Sequence, residues 1–154
     1  MFSIGSFPIG ETNEAMRRVL NKTMVPKLKD RGFTGKMPHF RRVLDSRIDV
    51  LGVQFNRYGG SFVIEIGSCG MSGVTHPGGD HIPAEKVRHY DIPTNRRLRL
   101  GSNQSSTFRR DHWFYFRRGF IFKNFDYDTP AKEVLALLDN QAEAFWNAYT
   151  ENEK

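Results

Sequence analysis

The chain of 154 residues is 38% hydrophobic and 13% aromatic, and it carries a formal net charge of +6 at pH 7. This composition is too apolar for a disordered chain, the length suits one domain with a continuous core, and no run approaches the roughly 20 apolar residues of a membrane-spanning helix. The single cysteine, Cys69, excludes an internal disulfide, and the N-terminus lacks the basic start of a signal peptide. We therefore expect residues 1–154 to form a single cytoplasmic domain.

Residues 11–31 have the hydrophobic periodicity of an amphipathic helix. Pro26 removes a backbone donor, which predicts a kink or a break near it. Gly32 suits the left-handed position that follows many helices. Apolar residues recur at spacings of three and four, at Met16, Val19, Leu20, Met24 and Leu28.

Residues 48–57 and 61–68 predict a central β-hairpin whose turn contains Tyr58-Gly59-Gly60. Residues 39–44 predict a short strand before it. In residues 61–68 large apolar side chains alternate with other residues, which is typical of a strand with one buried face. This hairpin determines the fold class more strongly than any other segment.

The hairpin also carries amide side chains in an unusual place. Gln54 and Asn56 share the face of the first strand opposite Val53 and Phe55. Together with Glu65 on the second strand, they indicate either a buried hydrogen-bond network or a polar binding surface.

The second half of the chain predicts further strands after a long connection. Residues 69–93 are rich in Gly and Pro, and connections of this length in a compact domain are usually functional or mobile. Residues 96–100 alternate again and predict a strand, residues 101–110 are polar turn material, and 112–117 and 120–125 predict two more strands.

Thr129-Pro130 predicts the start of a C-terminal helix, with Thr as the N-cap and Pro at the first helical position. Its apolar stripe comprises Leu135, Leu138, Ala142, Phe145, Trp146 and Tyr149. The order of helix, strands and helix, without βαβ alternation, predicts an α+β fold. We expect an antiparallel β-sheet of about five to six strands with the N-terminal and C-terminal helices packed on one face.

Six segments follow one another in a recognisable order: VPKLKDRGF, HFRRV, VQFNRYGG–SFVIEIG, RRLRL, DHWFYF and LALLDNQAEAFW. Over roughly residues 14–148 the chain resembles the bacterial family catalogued as domain of unknown function 4304. The resemblance implies no known activity. Members look like small stand-alone bacterial proteins, which is also a property of immunity proteins of toxin systems.

The sequence contains none of the G-x-S-x-G, H-E-x-x-H or Walker patterns. Cys69 follows a predicted strand, where it would need a nearby histidine to act as a nucleophile. Possible metal ligands in the connection have irregular spacing, unlike structural zinc sites: His76, Asp80, His81 and His89. We therefore assign no catalytic, metal or cofactor-binding residue and expect no cofactor, and an enzyme that uses the 69–91 loop is the third hypothesis.

Charge is unevenly distributed along the chain. Residues 126–154 contain seven acidic and two basic residues, so residues 1–125 contain 21 basic and 10 acidic residues, a net charge of +11. Fifteen of the 23 basic residues are Arg, whose guanidinium group suits carboxylates and phosphates. Either the acidic C-terminal helix partly neutralises a basic sheet within the fold, or the basic body docks an acidic partner.

The leading hypothesis is a non-enzymatic protein-binding domain, and its specific version is an immunity-type protein that neutralises a bacterial toxin. Its basic sheet face would pair with acidic groups of a toxin domain, and charge steering would speed capture. The residues proposed for this pairing are Arg41, Arg57, Arg97 and Arg99.

Nucleic acid is the alternative partner. Arg and aromatic residues are interleaved in residues 96–118, as in platforms for single strands, where bases stack on rings and phosphates pair with cations. The complete candidate surface for either partner comprises Arg41, Gln54, Asn56, Arg57, Glu65, Arg97, Arg99, Trp113 and Tyr115. The sequence does not predict the oligomeric state.

Overall fold

The computed structural model describes residues 9–103, 111–119 and 124–150. Helix α1 spans Ile9–Asp30 and is followed by Gly32, whose φ is +91°. The N–H of Phe33 donates to the carbonyl of Leu28 at 2.9 Å, so the predicted helix end is confirmed. No break occurs at Pro26, because Pro26 and Lys22 both face solvent, where water can satisfy the carbonyl that the missing N–H leaves unpaired.

Within the described residues, six strands form one antiparallel sheet. Their order is β1-β2-β3-β4-β7, and β8 also pairs with β4. The strands are β1 Thr34–Lys36, β2 His39–Val43, β3 Ile48–Phe55, β4 Ser61–Cys69, β7 Arg97–Arg99 and β8 Phe114–Tyr115. Two separate two-stranded sheets pair β5 Val74–Thr75 with β6 His81–Ile82, and β9 Arg117–Arg118 with β10 Asn124–Phe125.

The C-terminal helical run begins at α2 Asp128–Leu137, one residue before the predicted N-cap. It passes through a π-helical turn, Leu138–Ala142, and ends with α3 Glu143–Asn147. The side chain of Arg31 donates to the carbonyl of Leu138 at 3.3 Å, which satisfies one backbone acceptor of the wider turn.

The main core lies between the helices and one face of the sheet. Trp146 is fully buried and contacts Phe33, with ring centroids 4.9 Å apart. The rings of Phe62 and Phe114 are stacked, with centroids 5.1 Å apart. The predicted α+β fold, with helices on one face of an antiparallel sheet, is therefore confirmed.

A buried ionic network joins the C-terminal helix to the sheet. Arg42 Nη2 lies 2.8 Å from Asp49 Oδ2, and its Nη1 lies 3.0 Å from Glu143 Oε1. Asp49 also accepts hydrogen bonds from Arg47 Nε at 2.9 Å and Ser68 Oγ at 2.8 Å. At this end of the sheet, an acidic residue of the C-terminal helix does neutralise a basic strand residue within the fold.

The opposite face of the sheet is covered by residues 70–96 over part of its area. Ile48 and Val50 pack there in a second apolar cluster with Val87 and Ile92. Every residue of β4 is consequently buried, so the expectation of a strand with one buried face is wrong. The alternation in β4 separates two covered faces, one under the helices and one under the connection.

Other details differ from the predicted elements. Strand β1 was not predicted, because three exposed residues, TGK, carry no hydrophobic pattern. The predicted strand 112–117 is observed as β8 and the start of β9. Residues 104–110 of the predicted turn, and 120–123 of the last predicted strand, lie outside the described residues. Within the described ranges, no helix combines the length and apolarity needed to cross a bilayer.

Candidate binding cleft

A cleft of about 1020 Å³ lies between the β1–β2 hairpin and residues 81–91. We call it the edge cleft, because β1 is the outer strand of the sheet. Its polar and aromatic lining includes Lys36, His39, Arg41, Arg88, His89 and Tyr90. Its volume is at the upper end of the range for small-molecule pockets, and it is the larger of two cavities that we describe.

One wall of the edge cleft is held by Arg41. Its Nη1 donates to the carbonyl of Ala84 at 2.9 Å, and its Nη2 donates to the carbonyl of Val87 at 2.5 Å. Val87 is buried in the second apolar cluster. A charged donor on two backbone carbonyls and an apolar anchor thus fix this wall against the sheet.

His89 anchors the same wall and is only 4% exposed. A Cβ atom on Gly52 would lie 1.9 Å from His89 Cδ2, so the ring rests directly on the bare backbone of β3. His89 Nδ1 lies 2.8 Å from Glu65 Oε1. Because an ionised carboxylate only accepts, His89 carries its proton on Nδ1 in this bond.

Glu65 is 8% exposed and is surrounded by donors. Besides His89, Arg97 Nη1 approaches its Oε1 at 3.3 Å, and Arg99 Nε approaches its Oε2 at 3.2 Å. Burial alone would raise the pKa of Glu65, but the hydrogen bond from His89 and the charge of Arg97 outweigh burial and lower this pKa below its ordinary value.

The lowered pKa of Glu65 predicts that the free energy of unfolding falls at acidic pH. A carboxyl whose pKa is lowered by folding stabilises the protein above its unfolded pKa of about 4.3, and this contribution is lost as pH falls through the folded pKa. We expect the free energy of unfolding, from urea titrations at pH 7 and pH 3, to fall less for Glu65→Gln than for the unaltered chain. Glu85→Gln, at an exposed position, should keep the full dependence. Equal losses for all three proteins would contradict the assignment.

The entrance of the edge cleft is basic. Lys36, Lys86 and Arg88 are exposed, and no carboxylate of the described residues forms an ion pair with them. The acidic residues of the lining are Glu85 and Asp91. The three cations, together with Arg41 in the wall, outnumber these two carboxylates, so the net charge of the lining is positive.

Three rings form an aromatic group in the cleft. The rings of His39 and His89 are stacked, with centroids 5.7 Å apart. The ring of Tyr90 is edge-on to both, with centroid distances of 5.9 Å to His39 and 5.2 Å to His89. Tyr90 is 53% exposed. Nδ1 of His39 is buried and has no hydrogen-bond partner among the described residues.

Most of the arginines predicted to dock a partner instead bind acceptor groups within the protein. Arg41 binds the cleft wall, while Arg97 and Arg99 bind Glu65. Arg57 alone of the four is exposed; its guanidinium stacks on Tyr58 at 4.8 Å and donates to the Tyr58 hydroxyl at 2.5 Å.

The other predicted site residues do not line the edge cleft. Gln54 is exposed on β3. Asn56 instead organises the hairpin turn, since its Oδ1 accepts the N–H of Tyr58 at 2.9 Å. Trp113 is partly buried, and Tyr115 is 57% exposed opposite Ser61.

The sequence did not predict that four residues would line one cleft, namely Lys36, His39, Arg88 and Tyr90. One indication of this group was present: His39 and Arg41 are two residues apart on the predicted strand 39–44 and therefore share one of its faces. Nothing in the sequence indicated that residues 88–90 would fold back onto that face.

The side chains of residues 69–91 that were considered for nucleophilic catalysis or metal binding do not form one site in the described structure. Burial raises the pKa of the Cys69 thiol to about 11, which opposes its action as a nucleophile at neutral pH. Cys69 lines a second cavity of about 800 Å³. His81 Nδ1 lies 2.8 Å from Thr75 Oγ1 within the β5–β6 pair. Across the described parts of the chain, no three His, Cys, Asp or Glu side chains come together as metal ligands.

Comparison with known proteins gives one match. A family model with the description "Domain of unknown function (DUF4304)" matches residues 24–148. Neither the curated proteins nor the solved structures contain a match.

Proposed function

The chain belongs to the DUF4304 family, whose description leaves the activity open, and on that premise we propose that it is a non-enzymatic domain that binds an acidic protein partner over the edge cleft. The observation that carries the proposal is the group of exposed cations Lys36, Lys86 and Arg88 beside exposed Tyr90 around one cleft. None of the three forms an ion pair with a carboxylate of the described residues, and Arg88 donates to the Tyr90 hydroxyl. Arg and aromatic side chains are enriched at protein interfaces, and the two lysines add charge that attracts an acidic partner.

This location differs from the basic sheet face expected from the sequence. Arg97 and Arg99 already bind a buried carboxylate, and Arg41 binds two backbone carbonyls. A partner at those guanidinium groups would have to compete with these internal acceptors. The cations at the edge cleft are exposed, and Arg88 Nη1 donates only to the neutral hydroxyl of Tyr90 at 3.2 Å among the described residues. An acidic surface can therefore pair with them without displacing a carboxylate.

The immunity-type version of the proposal is specific about the partner. It names the product of the neighbouring gene as a toxin whose acidic surface the domain covers. Co-expression tests it: the domain should restore growth of cells that produce the neighbouring protein. Growth arrest that persists despite soluble domain would eliminate this version.

Charge reversal at the cleft provides the quantitative test. With the neighbouring protein as ligand, we expect Arg88→Glu to weaken binding by about 10-fold or more, since a repelling charge replaces an attractive one. Isothermal titration calorimetry at two salt concentrations measures the change. Lys22→Glu makes the same charge change on an exposed position of α1, on the helical side of the sheet, and should leave the affinity within about twofold. Equal effects of the two variants would reject the edge cleft as the docking surface.

A nucleic-acid partner is supported by a different surface. Tyr58 and Tyr115 are 63% and 57% exposed near the β3–β4 turn, with Arg57 and Arg118 also exposed. A mobility-shift titration with a single-stranded oligonucleotide across salt tests this alternative. It predicts that the affinity depends steeply on salt and that Tyr115→Ala lowers the affinity at every salt concentration. Absence of a shift at low salt would eliminate this alternative.

A further inference from the structure

We propose that the edge cleft recognises a carboxylate group of the partner, bound at Nδ1 of His39 and neutralised by Lys36 and Arg88. This inference rests on the proposed function and names the chemical group that the cleft selects. The carboxylate can come from an acidic side chain or from a chain terminus. Both sources present the same planar, singly charged acceptor.

The unsatisfied nitrogen of His39 is the first observation. His39 lines the cleft, and Nδ1 is buried without a hydrogen-bond partner among the described residues. A buried polar atom without a partner costs free energy, and such atoms are uncommon in folded proteins. A ligand atom at this position would remove that cost.

The protonation state of His39 is compatible with an acceptor ligand. Burial, and then the charges of Arg88 and His89, lower the pKa of His39, although Asp91 acts in the opposite direction. His39 is therefore neutral at pH 7. A neutral imidazole in the Nδ1–H tautomer donates one hydrogen bond from this nitrogen, and a carboxylate oxygen only accepts.

The charges around the cleft match one carboxylate better than a phosphate. Phosphate sites usually present several backbone N–H groups to one anion. In this wall three N–H groups are already used: Lys86 donates to Pro83, Val87 donates to Ala84, and Arg88 donates to the side chain of Asp91. The side-chain donors beside the cleft include the ring of His39 and the cations of Lys36 and Arg88.

The cleft is built before a ligand arrives. Arg41 fixes the carbonyls of Ala84 and Val87, and Glu65 fixes His89 beneath the ring of His39. These contacts do not involve the proposed ligand groups. Binding then requires the ordering of Lys36 and Arg88 and a movement of the His39 ring that opens the buried Nδ1 to the cleft. The pre-organised wall lowers the entropy cost of binding.

The experiment uses the full chain and short peptides. Acetyl-tetraglutamate amide carries only side-chain carboxylates, acetyl-tetraalanine acid carries only a terminal carboxylate, and acetyl-tetraalanine amide carries neither. Long-range ¹H–¹⁵N NMR of the histidine rings at pH 7.5 reports the tautomer of His39 during each titration. We expect at least one of the two acidic peptides to shift His39 saturably toward the Nδ1–H tautomer. The peptide that does so identifies the source, and the amide control should have no effect.

Variants separate ligand contact from a structural role. His39→Phe keeps a ring against His89 but removes Nδ1, and it should weaken binding of the active peptide roughly fivefold or more. Lys36→Ala should have a similar effect, whereas Lys22→Ala should have none. Thermal unfolding confirms that each variant is folded. If His39→Phe binds the peptide as tightly as the unaltered chain, or inorganic phosphate produces the same saturable change, the inference is overturned.

The outcome also distinguishes this inference from the proposed function. If neighbouring-protein binding is lost in Arg88→Glu but unchanged in His39→Phe, the edge cleft is the docking surface and the carboxylate assignment is wrong. If binding survives in both variants, the proposed function fails as well. If neither acidic peptide changes the His39 signals at millimolar concentration, the carboxylate assignment is also wrong.

Discussion

Replacement of Gly52 by alanine is expected to lower the free energy of unfolding by about 3 kcal/mol, the upper end of the usual cost of overpacking. The added Cβ would lie 1.9 Å from His89 Cδ2 and 2.4 Å from Nε2. His89 must therefore leave its position, and its hydrogen bond to buried Glu65 is lost with it. Urea unfolding at pH 7, followed by circular dichroism, measures the change.

Gly78→Ala is the matched control for this substitution. A Cβ on Gly78 would meet no atom within 4 Å, and Gly78 is not among the glycines with positive φ. Its stability should change by less than about 0.5 kcal/mol. If Gly52→Ala is as stable as Gly78→Ala, the ring of His89 does not rest on β3, and the described wall of the edge cleft is incorrect.

Asp49→Ala is expected to have the largest effect on stability, about 3–5 kcal/mol, because it breaks a buried ion pair by removing one partner. Asp49 is completely buried and accepts hydrogen bonds from Arg42, Arg47 and Ser68. Its removal leaves Arg42 with only Glu143 as a carboxylate partner. The same urea titration measures the loss.

Two further variants show whether the charge or the packing is responsible. Asp45→Ala removes an exposed carboxylate from the turn before β3 and should change stability by less than about 0.5 kcal/mol. The double variant Arg42→Met with Asp49→Leu should regain part of the free energy of unfolding that Asp49→Ala loses. It contains apolar residues of similar volume and leaves no uncompensated charge at position 42. A loss below about 1 kcal/mol for Asp49→Ala would show that the network contributes little.

The sequence predicted the elements whose local pattern is strong. The apolar periodicity of α1, the glycine after it and the hairpin of β3 and β4 all agree with the structure. These features depend on contacts between near neighbours in the chain, so their patterns are visible without the fold. Strand β1 has no such pattern and was missed.

The candidate site was less accessible to sequence reasoning. The cations expected to remain open, Arg97 and Arg99, are 34 residues or fewer from Glu65 in sequence, yet they bind it only because β7 pairs with β4. Arg41 likewise needs the carbonyls of a segment more than 40 residues away. Composition shows how many charges the chain has, but the pairing of charges depends on strand order and on the path of residues 70–96.

The central claim is that an acidic partner docks on the edge cleft, and chemical-shift mapping of the ¹⁵N-labelled chain with the neighbouring protein tests it most directly. We expect the backbone amides of residues 34–39 and 85–91 to shift or broaden on addition of the partner, while those of residues 16–28 on α1 remain in place. A tight complex whose perturbations were confined to α1, or to the β3–β4 turn with Tyr58 and Tyr115, would contradict the claim.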